Sequence, residues 1–177
     1  MTSRTRIAAI ATLMLATIVA PGCSDEDATR VIPVAAPGPT TVELLPSALA
    51  YEVGDIVTLD AAIRDGRDVG SVPFHLHFDP NVVQFRPPAE EGPYLGADGT
   101  QTFFVAAESS AGGELAVGMS RLGALRGADG SGSLATFEFL AVGTGPCEFR
   151  FSQANVRDPQ AQTLPALFRA AAVDVTR

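Results

Sequence analysis

The chain predicts an all-β fold, a two-sheet β-sandwich of jelly-roll topology with about nine strands, and three observations predict it. Apolar residues alternate with polar ones in short runs. Turn-forming residues separate those runs at short spacing. No long stretch carries the helical period.

The N-terminal residues set the compartment before the fold begins. Arg4 and Arg6 precede an uncharged run from Ile7 to Ala20, followed by Pro21 and Gly22. This pattern predicts a secretory signal over residues 1–22. The run is too short for a membrane span, which needs about 20 apolar residues. Ala20-Pro21-Gly22-Cys23 resembles the lipobox of bacterial lipoproteins, with Ala20 where Leu is usual. Ala20 and Gly22 equally satisfy the small-x-small rule of ordinary signal peptidase, so either enzyme cuts before Cys23. The resemblance implies acylation of Cys23 and anchoring at the bacterial cell envelope, the outer membrane favoured. Without acylation the chain is secreted or periplasmic and Cys23 is an incidental thiol. Residues 23–41 begin with Ser24-Asp25-Glu26-Asp27 and run Pro/Ala-rich through Pro39. They read as a tether that reaches roughly 60 Å when extended.

Residues 42–177 read as one domain. Val57, Leu59, Ala61 and Ile63 oppose Thr58, Asp60 and Ala62. Phe74, Leu76 and Phe78 oppose Pro73, His75 and His77, and Leu115, Val117 and Met119 oppose Glu114, Ala116 and Gly118. Cys147, Phe149 and Phe151 oppose Glu148, Arg150 and Ser152. Each run is a half-buried strand. Further strands are expected near 42–45, 82–86, 101–106, 133–142 and 167–175. Turns are expected at Asp65-Gly66, Asp79-Pro80-Asn81, Asp98-Gly99, Gly112-Gly113, Asp129-Gly130 and Gly143-Thr144-Gly145-Pro146,. Gly96-Ala97-Asp98-Gly99 recurs as Gly127-Ala128-Asp129-Gly130, read as two turns and no repeat. The Ala-rich stretch 161–172 leaves a short helix open, limited by Pro165.

Charge and motif content narrow the function. Every basic residue is Arg, and removing residues 1–22 takes the formal charge from −8 to −10, a balance that excludes phosphate backbones as partners,. Cys147 is the only other cysteine, with no CxxC, and reads as a small buried side chain,. His75 and His77 are the only histidines and share one strand face, yet no third or fourth metal ligand stands near them,. Two polar residues on a solvated sheet face is the preferred reading. The acidic turns at Asp65, Asp79, Asp98 and Asp129 offer oxygens for calcium, but turn preference explains each and EF-hand spacing is absent,. No cofactor is expected. Nucleophile-elbow, HExxH, P-loop and dinucleotide motifs are missing, and Glu90-Glu91 lies among prolines, so the chain reads as no enzyme,. A sugar platform would use aromatic faces. There is no Trp, only Tyr51 and Tyr94, and Phe104 stands out as the phenylalanine turned away from the core.

The order of several pieces resembles the cohesin family. They are Val53-Gly54-Asp55, Gly70 through Phe78-Asp79-Pro80 with Val82 and Val83, Gly132-Ser133-Leu134-Ala135-Thr136-Phe137-Glu138-Phe139, Gly143-Thr144-Gly145 and the closing Val173-Asp174-Val175. That resemblance implies a non-catalytic module that binds an exported protein, dockerin-like or other, on the outer face of one sheet. Carried over by strand order, the face holds Ser71, Pro73, His75 and His77 on one strand, Ala116, Gly118 and Ser120 on a second, and Glu148, Arg150 and Ser152 on a third. Ser71 and Pro73 stand where well-studied cellulosomal cohesins place an Asn and an Asp. The alternative function is an envelope module that binds polysaccharide or assists its breakdown, since carbohydrate-binding modules share the sandwich.

Overall fold

A computed structural model describes residues 38–177. The signal segment, Cys23 and all of the tether before Gly38 lie outside the described residues. Where the sequence alternates, the chain is strand, and there is no helix among the described residues.

One sheet orders its strands β12 (Leu167–Arg169), β1 (Thr41–Pro46), β3 (Ile56–Val69), β8 (Ala128–Ala141) and β5 (Val83–Glu91). The other orders β2 (Ala50–Glu52), β13 (Ala171–Thr176), β9 (Gly145–Ser152), β4 (Phe74–His77), β7 (Glu114–Arg121) and β6 (Thr102–Glu108). A small ribbon pairs β10 (Val156–Arg157) with β11 (Thr163–Leu164). Neighbours are antiparallel except β1 with β12 and β13 with β2. Eight of the expected strands are present as single strands; the one expected near 167–175 is split at Ala170 into β12 and β13, which belong to different sheets, and β2, β10 and β11 are short additions.

Two expectations fail for one physical reason. Asp65-Gly66 and Asp129-Gly130 are not turns but bulges inside the long β3–β8 pair, where the register shifts between Ile63 and Gly66 and between Gly66 and Val69. Asp65 and Asp68 take φ of 51°, a left-handed conformation that Asp tolerates, and Gly130 opposite Gly66 takes 99°,. Side chains complete the ladder where the backbone is out of step. Asp68 N–H donates to Asp129 Oδ1 at 2.8 Å, and Gly127 N–H donates to Asp68 Oδ1 at 2.6 Å. Turn-forming residues here lengthen a strand rather than end it. The helix left open over 161–172 is likewise replaced by strand, with Pro165 between β11 and β12, and Val173 and Val175 buried on alternate positions of β13.

The turn at Asp79-Pro80-Asn81 forms as expected. Asp79 Oδ1 accepts from the Asn81 N–H at 2.9 Å, and the Asp79 carbonyl accepts from Val82 and Val83. At the opposite end of the molecule, the loop after β5 is held by Arg121. Its guanidinium, nearly enclosed, donates to the Leu95 carbonyl, to Asp98 Oδ2 at 2.6 Å and to Thr100 Oγ1 at 2.8 Å.

Phenylalanines lock the sheets together. Phe137 and Phe139 on β8 meet Phe74 and Phe149 of the other sheet, and all are fully buried. Phe139 sits 5.0 Å from Phe149, 4.9 Å from Phe78 and 5.8 Å from Phe85, centroid to centroid. These tilted and edge-on contacts add to the burial of large apolar rings. Phe139→Ala is expected to lower unfolding stability by about 3–5 kcal/mol, read as a lower urea midpoint at unchanged slope.

The Arg121 hydrogen bond holds the Asp98 carboxyl well below the usual carboxylate range, with the Thr100 N–H assisting. A depressed native pKa gives stability that is present above the unfolded value and lost as pH falls through the native one. The stability gap between the parent and Asp98→Asn is therefore expected at neutral pH and should shrink below about pH 4. Urea midpoints measured across that range check it.

Candidate partner-binding face

Four adjacent strands, β9-β4-β7-β6, present an outer face to solvent. Successive side chains on a strand point to opposite faces, so burial of Phe74 and Leu76 turns His75 and His77 outward. Register then assembles the neighbours. His75 lies opposite Ala116 on β7 and Ser152 on β9, and His77 lies opposite Glu114 and Arg150. Ser71 bridges to Ser120. Glu148 lies farther along β9 and pairs at 3.5 Å with Arg150, an exposed contact of little energetic weight,. The ten residues named for this face have outward positions on β4, β7, β9 and the segment before β4, and one expectation about them is corrected.

Ser71 through His77 is not a single strand. Strand β4 begins at Phe74: Pro73 has no N–H to donate, and although Gly70 and Val72 still bond β7, the other edge of the segment bonds residues 155–157 rather than β9,. The Gly70 and Ser71 N–H groups donate to the Arg157 carbonyl, and the Asn155 N–H donates to the Pro73 carbonyl.

The polar half of the face centres on Glu114. The His75 Nδ1–H donates to Glu114 Oε1 at 2.6 Å, and His77 Nδ1 lies 3.7 Å from Oε2 of the same carboxylate. His77 Nε2 and Ser152 Oγ lie 2.6 Å apart, the tautomer deciding which donates,. Each imidazole meets a different carboxylate oxygen. No group of three or more His, Cys, Asp or Glu suited to a metal ion occurs among the described residues.

The apolar half is a shallow open groove of about 490 Å³. Ala116 and Gly118 form its floor, Val105 one side, and Pro73, Asn155 and Arg157 the other. A Cβ at Gly118 would come 3.3 Å from Val105 Cγ1, so glycine keeps the floor low. Arg157 Nε is buried with no hydrogen-bond partner among the described residues.

Other candidates take structural roles. Tyr51 and Tyr94 are both buried. The Tyr94 hydroxyl donates to the Ala128 carbonyl at 3.0 Å, and burial pushes its pKa up to about 12. Phe104 is not the outward phenylalanine. It packs against the core beside Met119, its partner on β7, whereas Phe103 opposite Ser120 is 52% exposed. Adjacent phenylalanines carry no signal of which one faces in. Three of the four carboxylates considered for calcium accept hydrogen bonds within the protein, Asp79 and Asp98 from local N–H groups and Asp129 from the Asp68 N–H, whereas among the described residues Asp65 bonds only through its backbone. Cys147 is fully buried, and burial pushes its thiol pKa up. Residues that sequence reasoning missed are Glu114, Arg157 and the outward row of β6. Glu114 was visible as the polar alternate of Leu115, but its position between the histidines depends on long-range register.

No protein-family model matches the chain, and no curated protein matches it. Solved structures do. A non-cellulosomal cohesin from the archaeon Archaeoglobus fulgidus is 16% identical, with a TM-score of 0.62 over 79% of this chain and 93% of that one. The second type II cohesin module of an adaptor scaffoldin from Acetivibrio cellulolyticus is 13% identical, with a TM-score of 0.68 over 79% and 92%. A type II cohesin-X-dockerin complex from the same bacterium matches at 12% identity and a TM-score of 0.64, over 77% and 99%. The domain has the cohesin fold.

Proposed function

We propose that the chain is a non-catalytic binding module that captures an exported protein, dockerin-like or other, on the outer face of β9-β4-β7. The observation that carries this reading is the make-up of that face. A low floor of Ala116 and Gly118 adjoins a polar cluster of His75, His77, Glu114 and Ser152, with Arg150 at its margin. Protein interfaces combine an apolar centre with a polar rim in this way. Arg157 lines the groove and adds positive charge suited to an acidic partner,. The likeness to a cohesin held in a complex with dockerin supports a partner of that kind. Ser71 and Pro73 give this face a different chemistry from an Asn/Asp pair. Polysaccharide is the less favoured ligand, because both tyrosines are buried and Phe103 is a lone exposed ring.

Cleavage before Cys23 and acylation of its thiol would tether the domain at the cell envelope, with residues 23–41 as spacer,. Mass spectrometry of the mature N-terminus is expected to show acylated Cys23, and an unmodified Cys23 removes the anchor.

Purified dockerins and the organism's own exported proteins should be tested beside a glycan array. Protein capture is expected, and Ala116→Arg or the pair Arg150→Glu and His77→Ala should each weaken it about tenfold or more. Glycan binding, with protein capture unchanged in those variants, contradicts the reading.

A further inference from the structure

Of the edges in the two sheets, one is unguarded. Strands β2 and β12 are only 3 residues long. Strand β5 carries Arg86, Pro87, Pro88, Glu90 and Glu91 and a register shift, devices that prevent edge-to-edge pairing,. Strand β6, by contrast, is 7 residues with no proline, no arginine and a single charge at its end, Glu108. Its outward row of Phe103, Val105 and Ala107 is exposed.

The hydrogen-bond phase of β6 follows from its two ends. The Gln101 carbonyl accepts from the Leu122 N–H, and the Ser109 N–H donates to the Glu114 carbonyl. Bonded and non-bonded pairs alternate in an antiparallel ladder. Phe103, Val105 and Ala107 therefore bond to β7, whereas Thr102, Phe104, Ala106 and Glu108 turn their N–H and C=O groups to the open edge.

We propose that two copies of this chain pair antiparallel through β6, about a two-fold axis at Val105, to form one continuous sheet across the dimer. That axis sets Thr102 against Glu108 and Phe104 against Ala106, so every free backbone group of the strand finds a partner. Axes at Phe104 or Ala106 leave Glu108 or Thr102 unpaired. Side chains agree with the same register. Phe103 falls opposite Ala107, large against small, Val105 meets its own copy, and Glu108 meets an uncharged Thr102 rather than another carboxylate,. The outer faces of the two sheets then lie side by side, making the assembly bivalent for any partner of that face. The pairing itself does not depend on what that partner is.

Sedimentation of the full chain, purified as exported, tests this, with circular dichroism confirming that each variant folds. The parent is expected at twice the monomer mass. Val105→Cys should form a disulfide-linked dimer under mild oxidation, because the facing Cα atoms of a non-bonded pair lie about 4.5 Å apart. The parent, with Cys23 and buried Cys147, and Leu125→Cys, at an 89% exposed site in the loop after β7, should not cross-link to that extent. Phe103→Lys should raise the dimer dissociation constant about tenfold or more, and adding Ala107→Glu should restore it, because only this register brings those positions together across the axis. A monomer at all concentrations overturns the proposal. So does a dimer indifferent to Phe103→Lys, or one in which Leu125→Cys cross-links as well as Val105→Cys.

Discussion

The contact on which the rest depends is the meeting of phenylalanines between the two sheets. Phe139 of β8 lies among Phe78, Phe85 and Phe149, and Phe74 meets Phe137 across the same gap. The described domain has no disulfide, since Cys147 is a buried free thiol, so this apolar layer is the main link between sheets,. It also sets the orientation of β4. With Phe74 and Leu76 committed inward, His75 and His77 have only the outer face. The polar cluster around Glu114 is thus a consequence of core packing.

Much of the architecture was legible from alternation. Runs at 57–63, 74–78, 115–119 and 147–151 place the buried side chains as observed except at Ala62, which is buried beside the register shift at Ala61, and Phe151, which is only partly buried,. What misled was turn chemistry. Asp-Gly pairs signal a left-handed backbone, and a bulge meets that need as well as a turn. Only the pairing of Gly66 with Gly130 across 64 residues decides between them. The same blindness to long-range register hid Glu114. Its placement between two histidines depends on β4 pairing with β7, which neither segment encodes locally.

The edge strand β6 shows a further limit. Thr102 through Glu108 is nearly all apolar, so alternation gave no indication of which phenylalanine is buried. Met119 on β7 settles it by taking Phe104 as its inward neighbour. That leaves Phe103 and Val105 beside the groove formed by Ala116 and Gly118. Apolar surface, a glycine floor and an unguarded edge therefore meet on one side of the molecule, while the opposite sheet closes its edge with prolines and charge. Surface area of this kind is more often kept for association than left idle.

In the proposed assembly the partner binds on the outer face of β9-β4-β7. Amide hydrogen exchange, compared between the free chain and its complex with a captured dockerin or other exported protein, tests that most directly. Slowed exchange at His75, His77, Ala116 and Arg150, with the five-stranded sheet unchanged, is the predicted result. Protection confined to β1, β3 or β5 would place the interface on the other sheet and contradict it.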